Sequence, residues 1–203
     1  MISVITADII NSRKSEPLIF LRLLKKELNE FGKSPRDWEI YGGDSFQLRI
    51  DDPLNAVLAG IRIKAAIKQI KPLDIRLAIG LGDITYRSNK ITECNGSAFI
   101  NSGEKFKKLK KEKQKLAIKS KWQDFDEIMN LCLKLGMIAM DRWSVVSAET
   151  VSLALSDPKA SQEDLGKILN IKQNAVSNRL ARAHFDEIME INELYTNKLN
   201  SLI

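Results

Sequence analysis

The chain is poor in cysteine, with only Cys94 and Cys132 among 203 residues. Two such thiols exclude a disulfide framework and fit a reducing, cytoplasmic setting. Neither stands in a metal-ligand pattern, so both are expected to be free. No run of 18 apolar residues occurs, so no membrane span is expected. The apolar opening MISVITADIIN is short, lacks a leading positive charge and is broken by Asp8, unlike a signal peptide. His184 is the only histidine and reads as a capping or surface residue. Gly/Ser-rich linkers, low-complexity tracts and internal repeats are also missing. Whatever parts the chain has are therefore expected to be docked on one another rather than tethered.

What is present is an ordinary globular balance, 44% hydrophobic and 29% charged, enough for one large domain or two small ones. The net charge is +6. Its distribution matters more than its size. Between Lys105 and Lys121 nine lysines face a single acid, Glu112, whereas the stretch from Asp157 onward has six bases and seven acids. An anionic partner is therefore expected near the first cluster rather than at the C-terminal end.

ISVITA (2–7) is apolar and β-branched, as in a buried strand. Pro17 opens a helix with apolar residues at helical spacing, and Gly32 ends it. WEIY (38–41), two glycines and SFQLRI (45–50) read as a β-hairpin. A second helix, expected to be amphipathic, runs from Asp52-Pro53 to about Ile70. DIRLAIGLGDI (74–84) is a strand, residues 96–110 a helix and LAIKS (116–120) a short strand. Residues 123–156 read as helical with Gly136 as a weak point. Three helices follow Pro158, over 161–169, 172–182 and 184–201. The expected class is α+β: a ferredoxin-like βαββαβ domain over residues 1–121, then an all-α region over 122–203.

Asp8 closes the first strand and Asp44 lies in the hairpin turn of YGGDSF. In a βαββαβ order those strands are neighbours, so the two carboxylates would approach each other and a cation would relieve their repulsion. Mg²⁺ suits such a pair, being held through one or two carboxylates plus substrate phosphates. Ser12 and Arg13 lead into a helix N-terminus that can face phosphate, and Gly42 and Gly43 leave room for a ligand against the backbone.

TADIINSR (6–13), YGGDSFQL (41–48), LAIGLGDITY (77–86) and NGSAFINSG (95–103) together resemble the SatD family of bacterial proteins over essentially the whole chain. The first domain more distantly resembles the palm-like nucleotide cyclases. That resemblance implies metal positions at Asp8 and Asp44, and a phosphate-facing helix carrying Asn101 and Lys105. It also marks departures: Lys105 stands where the cyclases carry arginine, losing the bidentate fork, and Ser45 stands where GGDEF proteins carry glutamate.

ASQEDLGKILNIKQNAVSNRLARA (160–183) fits a helix-turn-helix, centred on 161–182. Ser161 and Asp164 form a capping box, and Asn170 takes the turn position that needs positive φ. Leu165, Ile168, Leu169, Ile171, Val176 and Leu180 are expected to face inward. Lys172, Gln173, Asn174, Ser177, Asn178, Arg179 and Arg182 form a polar face suited to base edges and phosphates. The final helix is expected to complete this core or to mediate a homodimer. The leading expectation is a DNA-binding regulator whose first domain takes a nucleotide or divalent metal as effector. The alternative is a metal-dependent nucleotide-processing enzyme with an accessory helical part.

Overall fold

A computed structural model describes all 203 residues. Five strands, β1 (Ile2–Ile10), β2 (Trp38–Tyr41), β3 (Ser45–Ile50), β4 (Asp74–Gly82) and β5 (Leu116–Lys119), form one sheet in the order β2-β3-β1-β4-β5. Every neighbouring pair among the first four is antiparallel, and β5 runs parallel to β4. Helices α1 (Pro17–Asn29) and α2 (Ala56–Lys68) lie on one face, and α3 (Ser97–Leu109) crosses the other. With both faces covered, β1 and β4 are apolar nearly throughout rather than alternating. Ile5, Ala7 and Ile9 of β1 face α1 and α2, while Ile2 and Val4 pack with Ala98 and Phe99 of α3. Gly80 lets α3 lie close, since a Cβ there would strike the Ala98 carbonyl.

The helical part comprises α4 (Gln123–Met140), α5 (Val145–Ser156), α6 (Gln162–Leu169), α7 (Gln173–Arg182) and α8 (Phe185–Asn200). The helical stretch expected over 123–156 is built as two helices. The chain breaks at Asp141–Trp143, and the Ser144 side chain caps α5 through the Ser147 amide. Gly136 is no weak point but a close contact inside α4, because a Cβ there would lie 2.6 Å from Ile191 Cδ1 of α8.

Helix α2 also departs from expectation. It is buried on nearly every side rather than amphipathic, since α5 packs on the face that α1 and the sheet leave free. One continuous apolar core consequently runs from Phe46 and Leu48 in the sheet to Val176, Leu180 and Leu199 in the last helices. At the sheet margin Asn130 of α4 pairs with the outer side of β5, accepting from the Ile118 amide at 2.8 Å and donating to its carbonyl at 2.9 Å.

Polar groups fix how the two parts meet. Lys64 of α2 has no solvent exposure, and its Nζ donates to Asp74 at 2.7 Å and to Asp141 at 2.8 Å. Lys115 donates to the second oxygen of each carboxylate, 2.8 Å in both cases. The four charges alternate around a ring spanning α2, β4, the entry to β5 and the end of α4. Tyr195 of α8 donates its hydroxyl to the Pro53 carbonyl at 2.6 Å, and Trp143 Nε1 donates to Ala183 O at 2.8 Å.

Burial alone would raise the Asp74 carboxyl, but Lys64 and Lys115 outweigh it and hold its pKa below the ordinary aspartate value. The folded chain thus binds that proton less readily than the unfolded one. The ring therefore stabilises the fold above an ordinary aspartate pKa of about 3.9, and its contribution fades as pH falls below that value. Asp74→Asn should cost about 3–5 kcal/mol at pH 7, because Lys64 remains buried beside a lost partner. Urea unfolding across pH should show that deficit shrinking on the acid side.

Candidate functional site

The register of four strands sets one polar row across the α3 face of the sheet. Tyr41 of β2 opposes Ser45 of β3, Ser45 opposes Asp8 of β1, and Asp8 opposes Arg76 of β4. Asp8 shares its face with Ile2 and Val4 because side chains alternate along a strand. The hydrogen bond between Thr6 and Ser102 of α3, 3.0 Å, marks the neighbouring row that α3 still covers. Beyond it the face opens: Tyr41 is 40% exposed, and Asp8, Ser45 and Arg76 are half-buried.

Within the row Arg76 holds both oxygens of Asp8, Nε to Oδ1 at 2.9 Å and a terminal guanidinium nitrogen to Oδ2. At the row's end Asn11 takes a left-handed conformation, φ 65°, and turns the chain as it leaves β1. That turn brings the Ser12 hydroxyl to Asp44 Oδ2 at 2.6 Å. The Ile9 amide donates to the Asp44 carbonyl at 3.0 Å and pins the hairpin beside β1. Gly42 and Gly43 have φ of +61° and +89°, which other residues rarely adopt, and open space lies where their side chains would be. Arg13 and Lys14 project into solvent beside them.

Asp8, Ser12, Arg13, Gly42, Gly43 and Asp44 are therefore brought to one end of the sheet. Asn101 and Lys105 are not. Asn101 donates to the Leu81 carbonyl, and Leu81 opposes Ser3 near the far end of β1. Lys105 lies beyond β5, paired with Glu112 at 2.8 Å. The cause is the direction of α3, which starts at the end of β4 and crosses towards β5.

A divalent cation does not fit the pair as it stands. Asp8 already has its charge met by Arg76, a guanidinium that would repel a cation placed there. No third aspartate, glutamate, histidine or cysteine converges with the two, so any cation there would draw its other ligands from substrate phosphate or water. Arg76 and Tyr41 escaped the sequence reading. The available signal was the lone arginine in the otherwise apolar IRLAIGLG run of β4, and its partner emerges only from the β1–β4 register.

The second constellation is built as its sequence implies. Ser161 and Asp164 complete the capping box, with the Asp164 amide donating to the Ser161 hydroxyl at 3.1 Å. Asn170 adopts φ 53°, and Gly166 passes close to the turn, where a Cβ would lie 2.7 Å from the Ile171 carbonyl. Leu165, Val176 and Leu180 are buried, and Leu169 and Ile171 partly so. Ile168 is instead 63% exposed, because α6 is short and meets its neighbours through the Leu165–Leu169 side. On α7 and the turn before it, Lys172, Gln173, Asn174, Asn178 and Arg182 are exposed, while Ser177 and Arg179 are half-buried. Arg179 leans on Glu149 of α5 at 3.7 Å. His184 is left-handed, φ 53°, and exposed at the start of α8.

No family model and no curated protein matches the chain. No helix is long and apolar enough to cross a membrane.

Burial and the neighbouring Asp8 charge hold the Tyr41 phenol above its ordinary pKa. Asp8→Asn should therefore lower it. Ultraviolet titration of Asp8→Asn, compared with the same variant carrying Tyr41→Phe, isolates this tyrosine; an unmoved transition would show that the row does not form.

Proposed function

We propose that the protein is a cytoplasmic DNA-binding regulator that reads duplex DNA through α7 and takes an anionic effector, of nucleotide or phosphate type, at the open end of the sheet. The observation that carries the DNA reading is the exposed polar face of α7 behind a tight left-handed turn. Short Gln173 and Asn174 at its N-terminus suit base edges, and Asn178 follows one turn later. Lys172 and Arg182 flank them as phosphate contacts. The region's net charge of −1 makes this a reading from shape rather than from field.

The effector reading draws on the Tyr41–Ser45–Asp8–Arg76 row and on Arg13 beside it. The order β2-β3-β1-β4, antiparallel throughout, supports the ferredoxin-like interpretation and the resemblance to nucleotide cyclases. Arg76 on Asp8, and the distance of Asn101 from the row, favour binding over cyclase-type catalysis.

Fluorescence anisotropy with a mixed-sequence duplex tests the first part. Binding should weaken steeply with salt, and Lys172→Ala or Arg182→Ala should each reduce the log–log salt slope by about 1. Asn178→Ala should change the preferred sequence and leave that slope alone. Absence of binding at low salt, or variants equal to wild type, would sink the reading. Calorimetric titration with nucleoside triphosphates tests the second part: binding that needs Mg²⁺ would favour the enzyme alternative.

A further inference from the structure

Helix α4 has two apolar faces and only one of them is covered. Phe125, Met129, Leu133, Met137 and Met140 are in the core. On the opposite side Ile128, Leu131, Leu135 and Ile138 remain 42%, 60%, 58% and 57% exposed. Single exposed apolar residues are ordinary, but four in one stripe mark a surface that meets something.

The stripe has a particular order. With Asp124 before it and Arg142 in the turn just beyond the last residue of α4, the positions are separated by alternating steps of four and three, the heptad spacing of a helix that packs along its length on another helix. The pattern is also its own reverse about Leu133. Antiparallel to a second α4, Leu131 meets Leu135, Ile128 meets Ile138, and Asp124 meets Arg142, each twice. Neither Asp124 nor Arg142 has an ion-pair partner within the chain, and both are exposed. A surface whose apolar spacing and charges match themselves under a two-fold rotation is what an isologous dimer requires.

We infer that this face of α4 is the interface with a second copy of the chain, the two α4 helices antiparallel with their two-fold axis at Leu133. Glu127 and Lys134 border the seam and carry both signs, so no single-sign field opposes the approach. Lys134 comes nearest its own counterpart, and its long exposed side chain swings outward. Stable interfaces bury about 800 Å² on each partner, more than the four apolar side chains supply. Beside them lies a groove of about 450 Å³ lined by Leu135, Ile138, Arg142, Arg182, Ile188 and Ile191, whose apolar walls extend the surface open to a second copy. The inference does not rest on the DNA reading, although Arg182 lines the same groove.

Sedimentation equilibrium of the full chain tests it. Wild type should dimerise, and Leu131→Asp with Leu135→Asp should weaken the dimer by more than about 30-fold. Both positions are exposed, so the thermal melt followed by circular dichroism should keep its native amplitude. The charge-swap series is independent of that pair: Asp124→Arg alone should weaken the dimer about tenfold, and adding Arg142→Asp should restore it. A wild type that stays monomeric at all concentrations, a dimer indifferent to the leucine substitutions, or a swap that fails to restore association would each overturn the inference.

Discussion

The Lys64 ammonium, held away from water between Asp74 and Asp141, is the interaction on which the arrangement of this protein depends. A lysine at a fully buried position is strongly unfavourable unless carboxylates converge on it. Those two carboxylates come from the start of β4 and the end of α4, so the lysine is satisfied only when the sheet and the helical region meet in one orientation. Lys115 closes the ring from the other side. Apolar packing tolerates small slides between layers, whereas a ring of directed charges does not. The continuous core supplies most of the favourable burial, and the ring selects the docking geometry.

That geometry makes the protein one mechanical body. Helix α2 touches the sheet on one side and α5 on the other, and α5 in turn packs on α6 and α7. Tyr195 adds a hydrogen bond from the last helix to the loop before α2. The polar row at the sheet end and the exposed face of α7 are thus linked through packed elements and not through a flexible linker.

Much of this was legible in the residues. The apolar run of β1, the Gly-Gly turn of the hairpin, Pro17 at the head of α1 and the Ser161–Asp164 capping box all act locally, and each led to the element observed. What was not legible depends on partners distant in sequence. The full burial of α2 requires α5, nearly a hundred residues later. The break at Asp141–Trp143 follows from a side-chain cap and from Asp141's place in the charge ring. Asp8 looked like half of a metal site because nothing nearby in sequence announces Arg76. The lysine cluster was similarly misleading as a count of free charge: Lys115 belongs to the charge ring, Lys105 pairs with Glu112, and Lys119 pairs with Glu104. Charge counted along a chain overstates the field that a folded surface presents.

The amide of Asn130 on the outer side of β5 bears on the sheet's exposed margin. Unpaired strand margins recruit other strands, and the side-chain amide fills the hydrogen-bonding positions at Ile118 that an incoming strand would use. The opposite margin, β2, is only four residues long and offers little ladder to extend. Both margins are thus blunted against edge-to-edge growth of the sheet, at Ile118 by a side-chain amide and at β2 by shortness.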